Sequence, residues 1–334
     1  MTKRQYIIYT IGVLALLLAG CARDVPEIKE EKAEISVTTN VSGMREGAPL
    51  RAMTYDNVGN LQTEAHFTCV AYEANSNPLT AYIPTTSVDW NSTQWVFNNG
   101  ADHYYWPLPA TNGGAWPSLD FFGYVPATRP SYIAANPTYT ADHDVSFSCS
   151  SLPMTYSSAT PTAGQGSSLK EFMFGMALAQ NKDNAGTGVP LQFQHPFARI
   201  KLQLAASHPN VTINSITFRS IKNNGNYNHS ESPKWSTSDG ATNFVLSLTG
   251  DAAVFDNNPA SEKQIGDYYI MIPQEWTGGI DVNATWDVWG VTKNHDVSTT
   301  LSSITWQAGY SYTYTFTITE TDLTVNVAKF TEQW

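Results

Sequence analysis

Hydrophobic and polar residues alternate with a period of two along much of the chain, which is typical of half-buried β-strands. Residues 34–41 (EISVTTNV) place Ile35, Val37 and Val41 on one face. The same alternation recurs in three further segments, HFTCVAY (66–72), ARIKLQL (198–204) and YSYTYTFTI (310–318). Turn-forming clusters such as NNG, TNGG and SDG lie between such segments. The pattern therefore predicts an all-β protein built of β-sandwiches.

Only one stretch, Leu169–Ala179, has a pattern that fits a short helix. The Gly-rich segment NKDNAGTG (181–188) is the best candidate for a domain boundary, and we expect a new strand to begin at Val189. At roughly 150 residues per domain, the 334-residue length also indicates two domains. We therefore predict an N-terminal β-sandwich over residues 34–185 and a C-terminal one over residues 186–334.

The first 21 residues have the features of an export signal. Two basic residues precede an apolar run from Tyr6 to Ala19, which is shorter than the roughly 20 residues of a membrane-spanning helix. The run ends in Leu-Ala-Gly-Cys, the lipobox pattern of bacterial lipoproteins. Cys21 is therefore the predicted lipidation site and outer-membrane anchor, with an ordinary signal peptide as the alternative. Residues 22–33 are charged and lack apolar periodicity, so we predict a solvated tether.

Composition and motif content exclude several classes of function. The formal charge is −11, with 14% charged and 12% aromatic residues. Such a chain lacks the basic surface that nucleic-acid binding requires, and it does not have the composition of a disordered segment. The seven histidines show no metal-ligand spacing, and we find no catalytic signature. We therefore predict a protein that is not an enzyme and that uses no metal or cofactor.

Two cysteines, Cys69 and Cys149, follow the lipobox cysteine. In an exported protein they can form a disulfide, because disulfides persist outside the cytoplasm. Two buried free thiols are the default interpretation. Both alternatives stay open at this point.

Four motifs occur in order along the chain: YWP with WPSLDFFGYVP (105–107, 116–126), FQHPFARIKLQL (193–204), YYIMIPQ (268–274) and AGYSYTYTFTI (308–318). Together they resemble the fimbrillin family, the type V pilins and Mfa-like surface lipoproteins of Bacteroides-type bacteria. The resemblance covers nearly the whole mature chain. It implies two tandem transthyretin-like β-sandwiches and a cell-surface fimbrial subunit that serves adhesion. We expect His195 to be a hydrogen-bonded core or edge histidine.

The resemblance also implies assembly with other pilin subunits by strand exchange. In the family, a trypsin-like, arginine-specific protease cuts a loop after the first strand. That strand leaves, and a strand of the next subunit, usually the C-terminal one, fills the groove. Here the displaced strand would be the one that contains Ile35, Val37 and Val41. Arg51-Ala52 is the expected cleavage site, Arg45-Glu46 is the second choice, and an uncut loop is the alternative.

The expected donor strand is the C-terminal segment LTVNVAKFTEQW, residues 323–334. It offers an alternating apolar face made of Leu323, Val325 and Val327, followed by Phe330 and Trp334. At about 3.3 Å per residue, the segment can reach about 40 Å, enough to lie along a sandwich. The alternative is that it pairs within its own C-terminal sandwich.

A second class of function competes with the pilin interpretation. The protein would then be a monomeric surface lipoprotein that binds glycans through exposed aromatic side chains. The candidate side chains are Trp90, Trp95, Trp235 and Trp289.

Overall fold

Each of the alternating segments contains a β-strand in the computed structural model. The structure describes residues 32–41, 61–62, 66–74, 76, 79–110, 114–160, 165, 169–205, 211–238, 240–255, 263–288, 290–318 and 323–333. In chain order its strands are β1 (Val37–Val41), β2 (His66–Glu73), β3 (Ala81–Trp90), β4 (Trp95–Phe97), β5 (Leu119–Val125), β6 (Thr138–Tyr139), β7 (Val145–Cys149), β8 (Thr155–Ser157), β9 (Met173–Gln180), β10 (Val189–Gln194), β11 (Ala198–Ala205), β12 (Val211–Ile221), β13 (Gly225–Asn228), β14 (Trp235–Thr237), β15 (Thr242–Ser247), β16 (Val254–Phe255), β17 (Lys263–Met271), β18 (Glu275–Trp276), β19 (Gly279–Val288), β20 (Val291–Thr300), β21 (Ile304–Thr305), β22 (Tyr310–Ile318) and β23 (Leu323–Gln333).

The helical content of the described residues is limited to short segments. The 3₁₀ helices are Asn98–Gly100, Lys182–Gly186 and Gly250–Ala252. The prediction of an all-β fold is therefore confirmed. No helix in the described ranges is long and apolar enough to cross a membrane.

The first sheet closes on itself in the order β1-β10-β9-β5-β2-β3-β4. Strand β5 lies in its middle and is buried at every residue. Inside the sheet, the ring of Phe67 contacts Trp95 at 4.9 Å and Phe193 at 5.3 Å between centroids, edge to face in both cases. Such pairs add to the free energy gained by burial, because ring edges and faces carry opposite partial charges.

Two further sheets enclose a second core. One has the strand order β17-β11-β22-β23, and the other has the order β20-β19-β12-β15-β8, with β16 also paired to β12. Between them lie buried residues of both sheets, among them Ile200, Tyr314, Phe218, Val282 and Leu246. Strands of both sheets alternate inward apolar with outward polar residues, as expected when a sheet buries one face.

A fourth sheet, β14-β13-β7-β6, packs against the outer face of the first. Their shared cluster is rich in aromatic rings, and the ring of Phe147 stacks on Tyr227 with centroids 4.8 Å apart. A short pair, β18-β21, completes the architecture. Residues from Glu34 onward form one compact unit by their internal contacts.

The sheets do not divide at the predicted boundary between residues 185 and 186. Strand β10 begins at Val189, as expected, but it lies between β1 and β9 in the first sheet. Strand β8 lies earlier in the chain and pairs in parallel with β15 of the later sheet. The physical reason is edge pairing, because β10 supplies the hydrogen-bonding partners that β1 and β9 need to close the sheet.

The short helix expected at Leu169–Ala179 is not formed. Residues Met173–Gln180 are strand β9, which pairs with β5 on one side and with β10 on the other. Met173 and Phe174 are both fully buried although they are adjacent in sequence. A strand covered on both faces shows no clear alternation, so its apolar run looks like a helix face in sequence.

Candidate functional site

Strand β1 is held unequally along its two edges. On one edge it runs parallel to β10 with five register pairs, from Val37 opposite Val189 to Val41 opposite Phe193. On the other edge the ladder with β4 contains one register pair, Val37 opposite Trp95. The indole Nε1 of Trp95 also donates to Thr39 Oγ1 at 3.1 Å. The pairing of β1 therefore comes mainly from β10.

The apolar side chains of β1, and that of Ile35 two residues before it, lie deep in the first sheet. Ile35, Val37 and Val41 are 2%, 3% and 3% exposed, while Ser36, Thr38 and Asn40 are exposed. These are the three residues that the sequence assigns to the displaced strand. Each buried aliphatic side chain contributes about 1.5–3 kcal/mol relative to an exposed one. Burial is thus the main contribution of this strand to stability.

A short segment crosses the chain just before β1, and we call this segment, residues 103–105, the strap. The backbone N–H of Ile35 donates to the carbonyl of Tyr104 at 2.7 Å, and Glu34 forms an antiparallel bridge with Tyr105. The Glu34 carboxylate lies 2.6 Å from Nδ1 of His103, with both side chains more than half exposed. The phenol of Tyr82 donates to the Tyr105 carbonyl at 2.5 Å and anchors the strap to β3.

Gly188 lets the chain pass close to β1. Its φ angle is +77°, in the left-handed region that favours glycine. A Cβ atom at this position would lie 2.9 Å from Cγ2 of Thr38. The next residue, Val189, donates its backbone N–H to the carbonyl of Ser36 at 2.8 Å. Glycine is therefore favoured where β10 begins to pair with β1, because any other residue would be strained there.

The C-terminal segment forms an edge strand. Strand β23 pairs antiparallel with β22 along its whole length, from Ile318 opposite Leu323 to Tyr310 opposite Gln333. No second partner of β23 occurs among the described strands. Val325 is half-buried and packs against the second core, whereas Thr324 and Asn326 are exposed. The segment is thus paired in its own sheet, which was the alternative left open by the sequence.

Several predicted site residues lie outside the described residues. They are the lipidation site Cys21, the cleavage sites Arg51-Ala52 and Arg45-Glu46, and Trp289 and Trp334. Of the donor strand, the side chains of Leu323, Val327 and Phe330 are also outside the description, although their backbones pair with β22. The roles of these residues stay predictions.

Cys69 and Cys149 are both buried free thiols, so the structure contains no disulfide between them. They lie in different sheets, Cys69 on β2 and Cys149 on β7. Burial raises the pKa of each thiol to about 12, because a thiolate is poorly solvated there. Both thiols are therefore protonated and unreactive at neutral pH in the folded chain.

The aromatic side chains proposed for glycan stacking are less exposed than that function needs. Trp95 and Trp235 are each 5% exposed and belong to the core. Their sequence contexts do not reveal this, because Trp is common both in cores and at binding surfaces. Trp90 is half-buried and packs on Trp95 at 5.3 Å between centroids. The glycan-binding alternative therefore loses two of its four candidate side chains.

His195 is a core histidine, as the sequence predicts. Its Nδ1 lies 3.0 Å from Oε1 of Glu171, and neither side chain is exposed to solvent. In the described part of the chain, no cluster of three or more His, Cys, Asp or Glu side chains could hold a metal ion. The His195–Glu171 contact lies within the core.

The motifs noted in the sequence fall on strands of two sheets. WPSLDFFGYVP contains β5 of the first sheet. The remaining three motifs cover most of β11, the last four residues of β17 and all of β22, and these strands belong to one sheet in which β17 is at the edge. The strap overlaps the YWP motif at Tyr105, but its contact with β1 was not predicted. Pairing between an irregular segment and a strand leaves no periodic signal in sequence.

A sequence model of a known family matches residues 37–334, which is nearly all of the described chain, and its description is "Fimbrillin-like". The chain belongs to the fimbrillin-like family. Fimbrillin-like proteins are pilus-associated adhesion subunits of the cell surface that assemble with other pilin subunits, and their role is structural. No curated protein matches the sequence.

Two solved structures share the fold of this fimbrillin-like chain. A fimbrial protein from Bacteroides vulgatus has 13% identity and a TM-score of 0.56, with 89% of this chain and 99% of that chain covered. A candidate cell adhesion protein from Bacteroides uniformis has 14% identity and a TM-score of 0.52, with coverage of 89% and 98%. At such low identity, these likenesses concern the fold alone.

Proposed function

We propose that this protein is a structural or accessory subunit of a type V fimbria, assembled by protease-triggered strand exchange. In this mechanism an arginine-specific protease cuts after Arg51, or after Arg45 as the second choice. Strand β1 then leaves, and the C-terminal strand of another subunit takes its place. The observation that carries the proposal is the state of β1, which is deeply buried yet paired along only one edge for its full length.

The energetics of β1 favour replacement over vacancy. Three buried aliphatic side chains contribute together about 5–9 kcal/mol on the usual scale. That is comparable with the whole stability of a typical domain, about 5–15 kcal/mol. A subunit that has lost β1 would therefore gain stability from any strand with a matching apolar face. Backbone hydrogen bonds to β10 would add to this gain.

Strand β23 has the properties of a donor. It is at the edge of its sheet, so it can leave without breaking a central ladder. Its eleven residues exceed the five of β1, so one donor can cover the whole vacancy. Leaving the home sheet costs the pairing with β22, and burial in the vacated groove would offset that cost.

The remaining elements of the proposal rest on the sequence and the family resemblance. They are export as a lipoprotein through residues 1–21, lipidation at Cys21, and attachment to the outer membrane through the tether 22–33. The organisation into two tandem transthyretin-like sandwiches has the same support. Palmitate labelling of the wild-type chain and of Cys21→Ala would test the anchor.

Controlled proteolysis tests the strand exchange. We expect an arginine-specific protease to remove the residues up to Arg51 in one step, after which the subunits form SDS-resistant ladders. Arg51→Ala should block this step, whereas the matched variant Arg45→Ala should be processed normally. The reverse pattern would move the cut to Arg45. A cleaved product that stays monodisperse would contradict the proposal and favour a monomeric binding protein.

A reversible disulfide between β1 and β10 distinguishes cleavage of the loop from departure of β1. Asn40 and Gln192 are opposite each other on β1 and β10, and Asn40 is exposed. Paired Asn40→Cys and Gln192→Cys substitutions should form a disulfide that retains β1 after the cut. Ladders should then appear only after reduction, while Asn40→Cys alone should assemble without reductant. Ladders from the oxidised double variant would show that β1 need not leave.

Labelling of the natural thiols gives an independent measurement of the departure of β1 from the first sheet. Cys69 lies two residues from Phe67, whose ring contacts Trp95 and Phe193 inside the first sheet. Departure of β1 should let a maleimide reach Cys69, while Cys149 in the other cluster stays protected. Mass spectrometry of the labelled peptides before and after cleavage measures both.

A further inference from the structure

The strap contacts Glu34 and Ile35, which precede β1, in two different ways. The Tyr104 carbonyl and the Glu34–Tyr105 bridge hold the backbone, and His103 meets the Glu34 carboxylate at 2.6 Å. Only the second contact depends on which side chain the strand carries. A strand that enters in place of β1 meets the same imidazole at the same position.

The C-terminal segment repeats the chemistry of the residues that the strap holds. Glu34-Ile35-Ser36-Val37 has its counterpart in Asp322-Leu323-Thr324-Val325: an acid, an aliphatic residue, a hydroxyl residue and valine. The described parts of the two segments also share a burial pattern. Ser36 and Thr324 are exposed, whereas Val37 and Val325 face a core. Residue 322 lies outside the described residues, so its likeness is one of sequence.

We infer that the strap is part of the strand-acceptor site and that His103 sets the register of the incoming strand by binding an acidic side chain. The occupant is the C-terminal strand of a second copy of this chain. Leu323 of that copy takes the place of Ile35, Val325 the place of Val37, and Asp322 meets His103. This inference rests on the proposed strand exchange and specifies its partner and register.

The proposed register also determines the direction of the donor strand relative to β10. Because β1 is parallel to β10 and antiparallel to the strap, a donor in the same register runs parallel to β10. Its aliphatic side chains then enter the positions vacated by Ile35 and Val37. A shift by one residue would turn the exposed Thr324 and Asn326 toward the core. A shift by two keeps the apolar face inward but removes the acid from His103.

Disulfide trapping between copies tests the register directly. Cleaved acceptor carrying His103→Cys is mixed with donor carrying Asp322→Cys, and covalent dimers are identified by mass spectrometry. The matched control is a donor that carries Thr324→Cys. Thr324 is exposed and lies two residues after Asp322 in the sequence. We expect the 103–322 bond and little 103–324 bond. Ladders with a dominant 103–324 bond, or with neither bond, would overturn the inference.

A double-mutant cycle tests the acid recognition. The donor is a synthetic peptide of residues 320–334, and the acceptor is the cleaved protein. Because the His103–Glu34 pair is more than half exposed, we expect Asp322→Asn to speed dissociation by only about two- to fivefold. Asp322→Glu should restore the slow rate. On a His103→Ala acceptor all three peptides should dissociate alike, and a persistent difference there would overturn the recognition role.

The two tests distinguish this inference from the proposed function. If strand exchange itself does not occur, no variant forms ladders and no peptide binds the cleaved protein. If exchange occurs in another register, ladders form and peptides bind, but the 103–322 bond and the coupling to His103 are absent.

Discussion

Strand β1 is the first described strand and β23 is the last, but the two strands differ in burial and in pairing. Strand β1 is buried through Val37 and Val41, with Ile35 buried just before it, and has a full ladder on one edge with a short contact on the other. Strand β23 has a long ladder on one edge, and its described side chains are exposed or half-buried. Removal of β1 leaves a hole, whereas removal of β23 leaves a sheet edge.

This difference supports complementary roles for the two strands in the proposed strand exchange. A hole in a core is unfavourable because apolar surface becomes hydrated, whereas a sheet edge can be solvated by water. The acceptor role therefore fits the position of β1, and the donor role fits β23. Substitutions that change a buried side chain, the packing of a side chain or the distance between two backbones test this comparison of β1 with β23.

The largest effect is expected from a charge in the buried face of β1. Val37→Asp should lower the free energy of unfolding by about 4 kcal/mol, since the carboxylate would lose its hydration without gaining a partner. Asn40→Asp puts the same group on the exposed face of the same strand and should change stability by less than about 0.5 kcal/mol. Urea unfolding of both variants measures the contrast. Equal effects would mean that β1 is not a core strand.

A smaller loss of stability is expected when a valine is shortened to alanine, and this change can be made in both strands. Val37→Ala should cost about 2–3 kcal/mol, because it removes buried methyl groups and leaves a cavity. Val325→Ala should cost about 1 kcal/mol or less, because Val325 is only half-buried. Chemical denaturation of the uncut protein gives both values. A greater loss at Val325 would reverse the assignment of acceptor and donor.

The smallest effect concerns the backbone approach at the beginning of β10. Gly188→Ala should cost about 2 kcal/mol or less, because the residue has a positive φ angle and its Cβ would press on Thr38. Gly186→Ala is the matched control, since no atom beyond its own local backbone lies within 4 Å of its Cβ position. Thermal unfolding should show a lower Tm for the first variant alone. Similar Tm values would indicate that β1 tolerates a looser contact with β10.

Much of the strand content was predictable because alternation is a local property. Residues with one buried face, such as Ile35 and Val37 or those of β10, show a period of two whatever their partners are. Strand β9 was missed for the same reason, because burial on both faces removes the alternation. The exposure of Trp95 and Trp235 could not be predicted, since it depends on which distant strands cover them.

The sequence by itself determined the all-β class, the positions of several strands, the apolar face of the first strand and the family resemblance, because these depend on residues close together in the chain. Only the tertiary structure decided that β10 closes the first sheet and that β8 pairs with β15. The same is true of the contact between the strap and the residues just before β1. The reason is that backbone hydrogen bonds between strands are the same for every side chain, so pairing over long separations leaves little trace in the sequence.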